Sequence, residues 1–298
     1  MSKPVIVVGI DSSPRAPQVI EAARLMAERM NASVVLIGAV EGLELRAMMP
    51  PELGAWNDES LWGAIDKSTR AAVAKAAEHF RSGTVTDQKV EAAAPWHMLV
   101  NEAKRRNASL IVLGAHGYRP LERMLGTTAA KVANRAECSV LVVRQALEQK
   151  APVGFERIAV AHDGSERAKG VLNAALTLAR PDKGRLILIR GVVPPAEVTP
   201  AIWGKRPDEI MALLEHNAKV ALDTIRGSLP DGVSAETCAR IGIPSEVVRE
   251  IARDKDATLL AIGSHGFDAF DRVLGTTAGR IVNMADRSVL IVRGDCLS

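Results

Sequence analysis

Residues Gly114–Arg144 read GAHGYRPLERMLGTTAAKVANRAECSVLVVR, and residues Gly263–Arg293 read GSHGFDAFDRVLGTTAGRIVNMADRSVLIVR. About half of the aligned positions are identical, and no gap is needed. A repeat of such long period means a duplicated architecture. It turns the prior from a length of 298 residues, roughly two domains of about 150 each, into a count. Both copies contain a glycine-rich turn followed by Gly-Thr-Thr, so the same stretch also speaks to ligand chemistry.

Outward from the repeat, each half alternates strand and helix signals. In the first half, Val5 to Ile10 is a continuous apolar run, as expected of a strand buried on both faces of a parallel sheet. Asp11, Ser12, Ser13 and Pro14 read as a helix start, with Asp11 a candidate N-cap, followed by the stripe Val19, Ala22, Ala23, Met26 and Ala27. Strands are expected at Ser33–Val40, Thr84–Ala93, Leu110–Leu113 and Val140–Val143, and helices at Leu61–Arg81, Pro95–Arg106 and Thr127–Arg135. Residues 41–57 form an irregular connection with Pro50, Pro51 and Gly54. The second half repeats the order from Ile158. Its strands are expected at Ile158–Ala161, Leu186–Val193, Ser234–Arg240 and Leu259–Ile262, and its helices include Ile210–Arg226 and Ser245–Arg253. Asp163 stands in the place of Asp11 and again reads as a cap. Asp163 follows Asp11 by 152 positions but Gly263 follows Gly114 by 149, so three residues are lost in between, in the loop or the long helix. A short linker with Pro152 and Gly154 separates domains at 1–147 and 154–298. The class is α/β, with right-handed crossovers and helices on both sheet faces.

Composition narrows the function. The net charge is +3, with cations scattered among acids, and aromatics make up 3%. That disfavours nucleic acid as a partner. Three cysteines without pairing or metal spacing fit a reducing compartment. No run of about 18 apolar residues is present. The expectation is a cytoplasmic protein without membrane contact.

In an open parallel sheet a ligand sits beyond the carboxyl ends of the strands, where Asp11, Asp163, Gly114 and Gly263 all lie. Glycines there let the backbone approach an anion, and a helix starting at Gly126-Thr127-Thr128 or Gly275-Thr276-Thr277 offers free N–H groups and a favourable dipole. The threonine hydroxyls can donate to phosphate oxygens. A purely structural turn and cap would use the same residues. His116 and His265 recur between the glycines with no nucleophile, acid or metal spacing around them, so a hydrogen-bonding or loop-shaping role is expected. No catalytic residue and no metal site is identified. Trp56, Trp62 and Trp203 read as lid or interface packing, and Glu122, Arg123, Asp271 and Arg272 as a solvated face or an interface.

On these residues the chain resembles the universal stress protein family in its tandem form: VGID at Val8–Asp11, AHDGSE at Ala161–Glu166, the two GxHG elements, the Gly-Thr-Thr-Ala helix starts, and the closing SVLVVR and SVLIVR strands. The resemblance implies two open five-stranded parallel sheets of order 3-2-1-4-5, Rossmann-like and similar to the adenine nucleotide alpha hydrolase fold. It implies ATP, with or without Mg2+, held by Asp11, Val40, Gly114, Gly117, Gly126 and Thr127 in one half and by Asp163, Val192, Gly263, Gly266, Gly275 and Thr276 in the other. Pairing through the last strands is implied as well, here as an intrachain pseudo-dimer, with homodimers a further option. One departure is shared by both halves: eight residues separate the second and third glycines where the family has nine. One residue fewer displaces the helix start by up to ~3.5 Å along the chain. The halves also differ from each other. The second keeps Asp163-Gly164-Ser165 and Gly242-Ile243-Pro244, where the first has Asp11-Ser12-Ser13 and Ala93-Ala94-Pro95. If one half alone holds nucleotide, the second is expected to do so. The alternative is a structural or interaction protein with degenerate sites or a different ligand. An enzyme acting on an adenylated substrate rests on fold analogy alone.

Overall fold

The computed structural model describes residues 3–40, 59–115, 125–144, 154–179, 184–194, 206–265 and 274–294. The chain divides into two compact units, one up to Val153 and one from Gly154. The first contains β1 (Val5–Gly9), α1 (Ala16–Met30), β2 (Ser33–Ala39), α2 (Glu59–Ala77), β3 (Val85–Glu91), α3 (Pro95–Arg105), β4 (Leu110–Gly114), α4 (Thr127–Arg135) and β5 (Ser139–Val143). The second contains β6 (Arg157–Ala161), α5 (Glu166–Leu178), β7 (Arg185–Val192), α6 (Pro207–Gly227), β8 (Ser234–Ile241), α7 (Pro244–Asp254), β9 (Leu259–Gly263), α8 (Thr276–Met284) and β10 (Ser288–Val292).

Within the first unit the strands run β3-β2-β1-β4-β5, and within the second β8-β7-β6-β9-β10. Both are the order 3-2-1-4-5, and the pairings within each unit are parallel. The central strands are unbroken apolar runs because helices cover both faces: Val34, Val35 and Leu36 of β2 and Leu186, Ile187, Leu188 and Ile189 of β7 have no exposed surface. The outer strand β3 instead alternates half-buried and exposed residues over its first half. Right-handed crossovers that reverse direction after the third strand put α1 and α2 on one face and α3 and α4 on the other. Two glycines mark those faces. A Cβ on Gly9 would meet the Leu99 methyls of α3 at 3.2 and 3.3 Å, whereas one on Gly38 would meet Thr69 and Val73 of α2 at 2.7 and 2.9 Å. Few aromatics are needed because alanines bring helix and sheet close, as with Ala22 and Ala23 on α1 and Ala174 and Ala175 on α5, all at most 1% exposed.

The three-residue slip between the halves is partly located. Val34 pairs with Val85, and Leu186 with Ala235; the first partners differ by 152 positions and the second by 150. One register step on, Val35 pairs with Asp87 and Ile187 with Glu236, a difference of 149 for the outer strand. One of the three residues is therefore a bulge at Thr86, where the register shifts. This corrects the expectation that the whole slip falls in the loop or long helix. The other two residues lie between Val40 and Val85.

A second correction concerns the first helix of each unit. Neither aspartate is its N-cap. In the first unit the cap position is Arg15, and Pro17 sits in the first turn. In the second it is Ser165, whose hydroxyl accepts from the Ala168 N–H.

Candidate functional site

Freed from capping, the two aspartates do the same local work. Asp11 Oδ1 accepts from the Ser13 N–H at 3.1 Å and the Ser13 hydroxyl at 2.7 Å. Asp163 Oδ1 accepts from the Ser165 N–H at 2.9 Å and the Ser165 hydroxyl at 2.6 Å. One carboxylate oxygen thus locks the turn beyond the strand. Among the described residues nothing is bonded to Oδ2, which stays available to a ligand hydroxyl. The parallel register sets the neighbours: β1 lies between β2 and β4, and β6 between β7 and β9. Asp11 therefore stands at the strand end between Val40 and Gly114, and Asp163 between Val192 and Gly263.

The glycine element is closed in the same way in both units. Ala115 N–H donates to Val143 O, and Gly126 N–H returns to Ala115 O at 2.8 Å. Ser264 N–H donates to Val292 O, and Gly275 N–H returns to Ser264 O at 2.9 Å. The eight-residue spacing thus brings the helix start back onto the strand end in each copy. His116, Gly117 and Gly266 lie outside the described residues. A Cβ on Gly263 would come within 3.2 Å of the His265 carbonyl, and one on Gly275 within 3.3 Å of the Ser264 carbonyl, so backbone crowds both positions. His265 lies against this turn, its Nδ1 3.1 Å from the Ser264 hydroxyl.

Gly126 and Gly275 are the N-caps of α4 and α8, and neither helix receives a side-chain capping bond. The first intrahelical donors are Ala130 and Gly279, which leaves the N–H groups of Thr127, Thr128 and Ala129, and of Thr276, Thr277 and Ala278, without an intrahelical acceptor. Thr127, Thr276 and Thr277 are exposed and Thr128 half-exposed, and among the described residues their hydroxyls are unbonded. Open N–H groups, free hydroxyls, the helix dipole and a spare carboxylate oxygen suit a phosphorylated ligand with sugar hydroxyls. Among the described residues no group of three or more His, Cys, Asp or Glu could hold a metal ion.

The units diverge at the strand ends. Val40 is 1% exposed, whereas Val192 is half-exposed and its neighbours Val193 and Ile243 are 60% and 45% exposed. Among the described residues the second unit thus presents apolar surface at a strand end where Val40 of the first is buried. Gly191 lets α7 approach: a Cβ there would lie 2.6 Å from Pro244 Cα. The sequence reading missed two further residues, His162 and Arg190, although alignment of the halves at β1 and β6 sets them opposite Ile10 and Gly38. His162 is 6% exposed and its Nδ1 accepts from the Gly164 N–H at 3.2 Å. Burial holds its imidazole below the usual range, with Asp163 opposing and Arg190 adding to that shift.

Other clusters are structural. Trp62 is buried at 6% on α2, so it packs as part of the core; Trp56 and Trp203, and Glu122, Arg123, Asp271 and Arg272, lie outside the described residues. Glu102 on α3 is 4% exposed, with Lys89 at 3.7 Å, and Arg105 and Arg106, each at 2.5 Å, hold its carboxyl at about 2. A cavity of about 200 Å3 opens beside Ser33, at the amino end of β2, and so lies at the wrong end of the sheet for this site. Its Arg24 and Arg81 are paired with Glu28.

The universal stress protein family model matches residues 4–144 and 154–293. The chain belongs to that family, in a tandem arrangement. A universal stress protein of Synechocystis is 26% identical over 153 residues, covering 47% of this chain and 99% of its own length. Universal stress protein A homolog 1 of Coxiella burnetii is 27% identical over 138 residues, covering 46% and 94%. Among solved structures, a universal stress protein from Archaeoglobus fulgidus covers 98% of this chain and 99% of its own, with a TM-score of 0.64 and 14% identity. A functionally unknown protein from Pseudomonas aeruginosa PAO1 covers 99% and 94%, with a TM-score of 0.66 and 16% identity. These likenesses establish the fold. A universal stress protein described as a complex with cAMP matches 46% of the chain at a TM-score of 0.33, too slight a likeness to transfer that ligand.

Proposed function

We propose that the chain is an ATP-binding stress-response module of two domains, 1–147 and 154–298, working in the cytoplasm. It acts through nucleotide-dependent conformation or partner choice. The reading places phosphates over Gly126-Thr127-Thr128 or Gly275-Thr276-Thr277, with Gly114, His116 and Gly117 or Gly263, His265 and Gly266 shaping the turn beneath. Ribose hydroxyls would meet Oδ2 of Asp11 or Asp163, and the base would meet Val40 or Val192. Mg2+ would arrive coordinated by the phosphates, since magnesium commonly keeps its waters and binds through substrate phosphates. No general base is assigned, so hydrolysis, if present, is slow.

The observation that carries the reading is the pair of uncapped helix N-termini drawn onto the strand ends by the Gly126–Ala115 and Gly275–Ser264 bonds. The more open Val192 surface favours the second unit as the principal site. The last strands β5 and β10 pair with each other in this proposal, since pairing removes two exposed sheet edges. Denaturing the purified protein and searching the supernatant for ATP or ADP by mass spectrometry tests the reading. Released nucleotide, or heat on titrating ATP with magnesium, supports it. Neither signal would leave a structural or interaction protein with degenerate sites.

A further inference from the structure

Register pairs Ala161 with Ile189, so the next residues, His162 and Arg190, lie side by side on one face at the carboxyl end of the sheet. The His162 N–H extends the ladder to Ile189 O at 2.9 Å. Arg190 is half-buried, yet among the described residues its guanidinium makes no hydrogen bond or ion pair. It lies against the turn that follows β6. A Cβ built on Gly164, which has φ of +93°, would be 3.2 Å from Nη1 and 3.3 Å from Nη2 of Arg190. A guanidinium carries five N–H donors and is always charged, and half-burial strips much of its water. Asp163 does not serve it: Oδ1 is bonded to Ser165, and among the described residues Oδ2 makes no hydrogen bond or ion pair with Arg190.

The first unit is built to exclude such a group. Its matching residue is Gly38, where even a methyl would sit 2.7 Å from the Thr69 methyl and 2.9 Å from Val73. The position beside it is the buried aliphatic Ile10, 5% exposed, where the second unit has His162. The cation is therefore specific to one of two otherwise matching strand ends.

We propose that Arg190 is a specificity residue of the second site, its guanidinium recognising an anionic phosphate oxygen of the bound nucleotide beside the Asp163–Ser165 turn. The second site then discriminates phosphorylated ligands from the bare nucleoside more strongly than the first. This inference rests on the nucleotide reading above.

The test uses the full chain carrying Gly126→Val, which silences the first site, and calorimetric titration with ATP and, separately, with adenosine. Arg190→Met is expected to weaken ATP about 10- to 100-fold, the scale of a charge-assisted hydrogen bond, and to leave adenosine unchanged. Arg190→Lys recovers part of the loss, keeping the charge without the fork. Arg190→Gln repeats the measurement should the methionine variant fail to fold. Equal weakening of ATP and adenosine, or unchanged ATP affinity, overturns the proposal while leaving the nucleotide site intact. Absence of both ligands from the chain before Arg190 is changed overturns the nucleotide reading, and this inference with it.

Discussion

The two units share a backbone and part company at one end of it. Ile10 and Gly38 close the first unit's strand ends with aliphatic packing, and Val40 is buried beside them. His162 and Arg190 occupy the matching places in the second unit, beside a half-exposed Val192. In the rest of the fold, and on the neighbouring strand ends, the duplication is faithful: the same strand order, the same glycine return bond, the same uncapped Gly-Thr-Thr helix. Duplication thus preserved the glycine turn and the open helix start while the surface beside them diverged. Family membership therefore speaks for both units as folds but not equally for both as sites.

The strongest way to break this comparison is to transplant it. Gly38→Arg puts the second unit's residue into the first, against Thr69 and Val73, and is expected to cost roughly 3 kcal/mol or more by overpacking, read as a drop in unfolding midpoint. Tolerance of that substitution would show that the first strand end is as roomy as the second. Gly191→Ala strikes the second unit at the approach of Pro244 and should cost about 1–3 kcal/mol in urea unfolding.

Acid separates the units further. Glu102 belongs to the first unit, and its carboxyl is held at about 2 by Arg105 and Arg106. Its contribution is present above the ordinary value of 4.5 and is lost as pH falls towards 2. Glu102→Gln should cost on the order of 1–3 kcal/mol at pH 7 and little at pH 2, measured by denaturant unfolding across that range. His162 belongs to the second unit and is buried in its neutral form, below the ordinary value of 6.5. Its contribution is present above pH 6.5 and is lost as pH falls below it, since the unfolded chain takes up the proton first. His162→Ile, the first unit's residue, should flatten that slope, the smallest effect of the set. A slope between pH 7 and 5 that persists in this variant would place the titrating group elsewhere.

Much of this was legible in the sequence. Periodic apolar runs located the strands because the buried strands of a parallel sheet have no polar face to interrupt them, as Val34–Ile37 and Leu186–Ile189 show. The repeat delivered the two-unit organisation, and the resemblance delivered the strand order. What stayed hidden depended on three-dimensional neighbours. Asp11 and Asp163 look like caps in one dimension, yet the helices begin after Arg15 and Ser165, and the aspartates tie a turn instead. The Thr86 bulge leaves no compositional mark. Arg190 sits inside an apolar run as an ordinary outlier. Only the pairing of β6 with β7 sets it beside His162 at the carboxyl end of the sheet.

The function proposed above makes the second unit the principal nucleotide holder. Titrating ATP with magnesium into the full-length Gly126→Val and Gly275→Val variants tests it most directly. The account predicts that Gly275→Val, which crowds the Ser264 carbonyl, removes the tighter binding event by at least about 100-fold, while Gly126→Val leaves that event in place. Tight binding that survives Gly275→Val and disappears with Gly126→Val would contradict it.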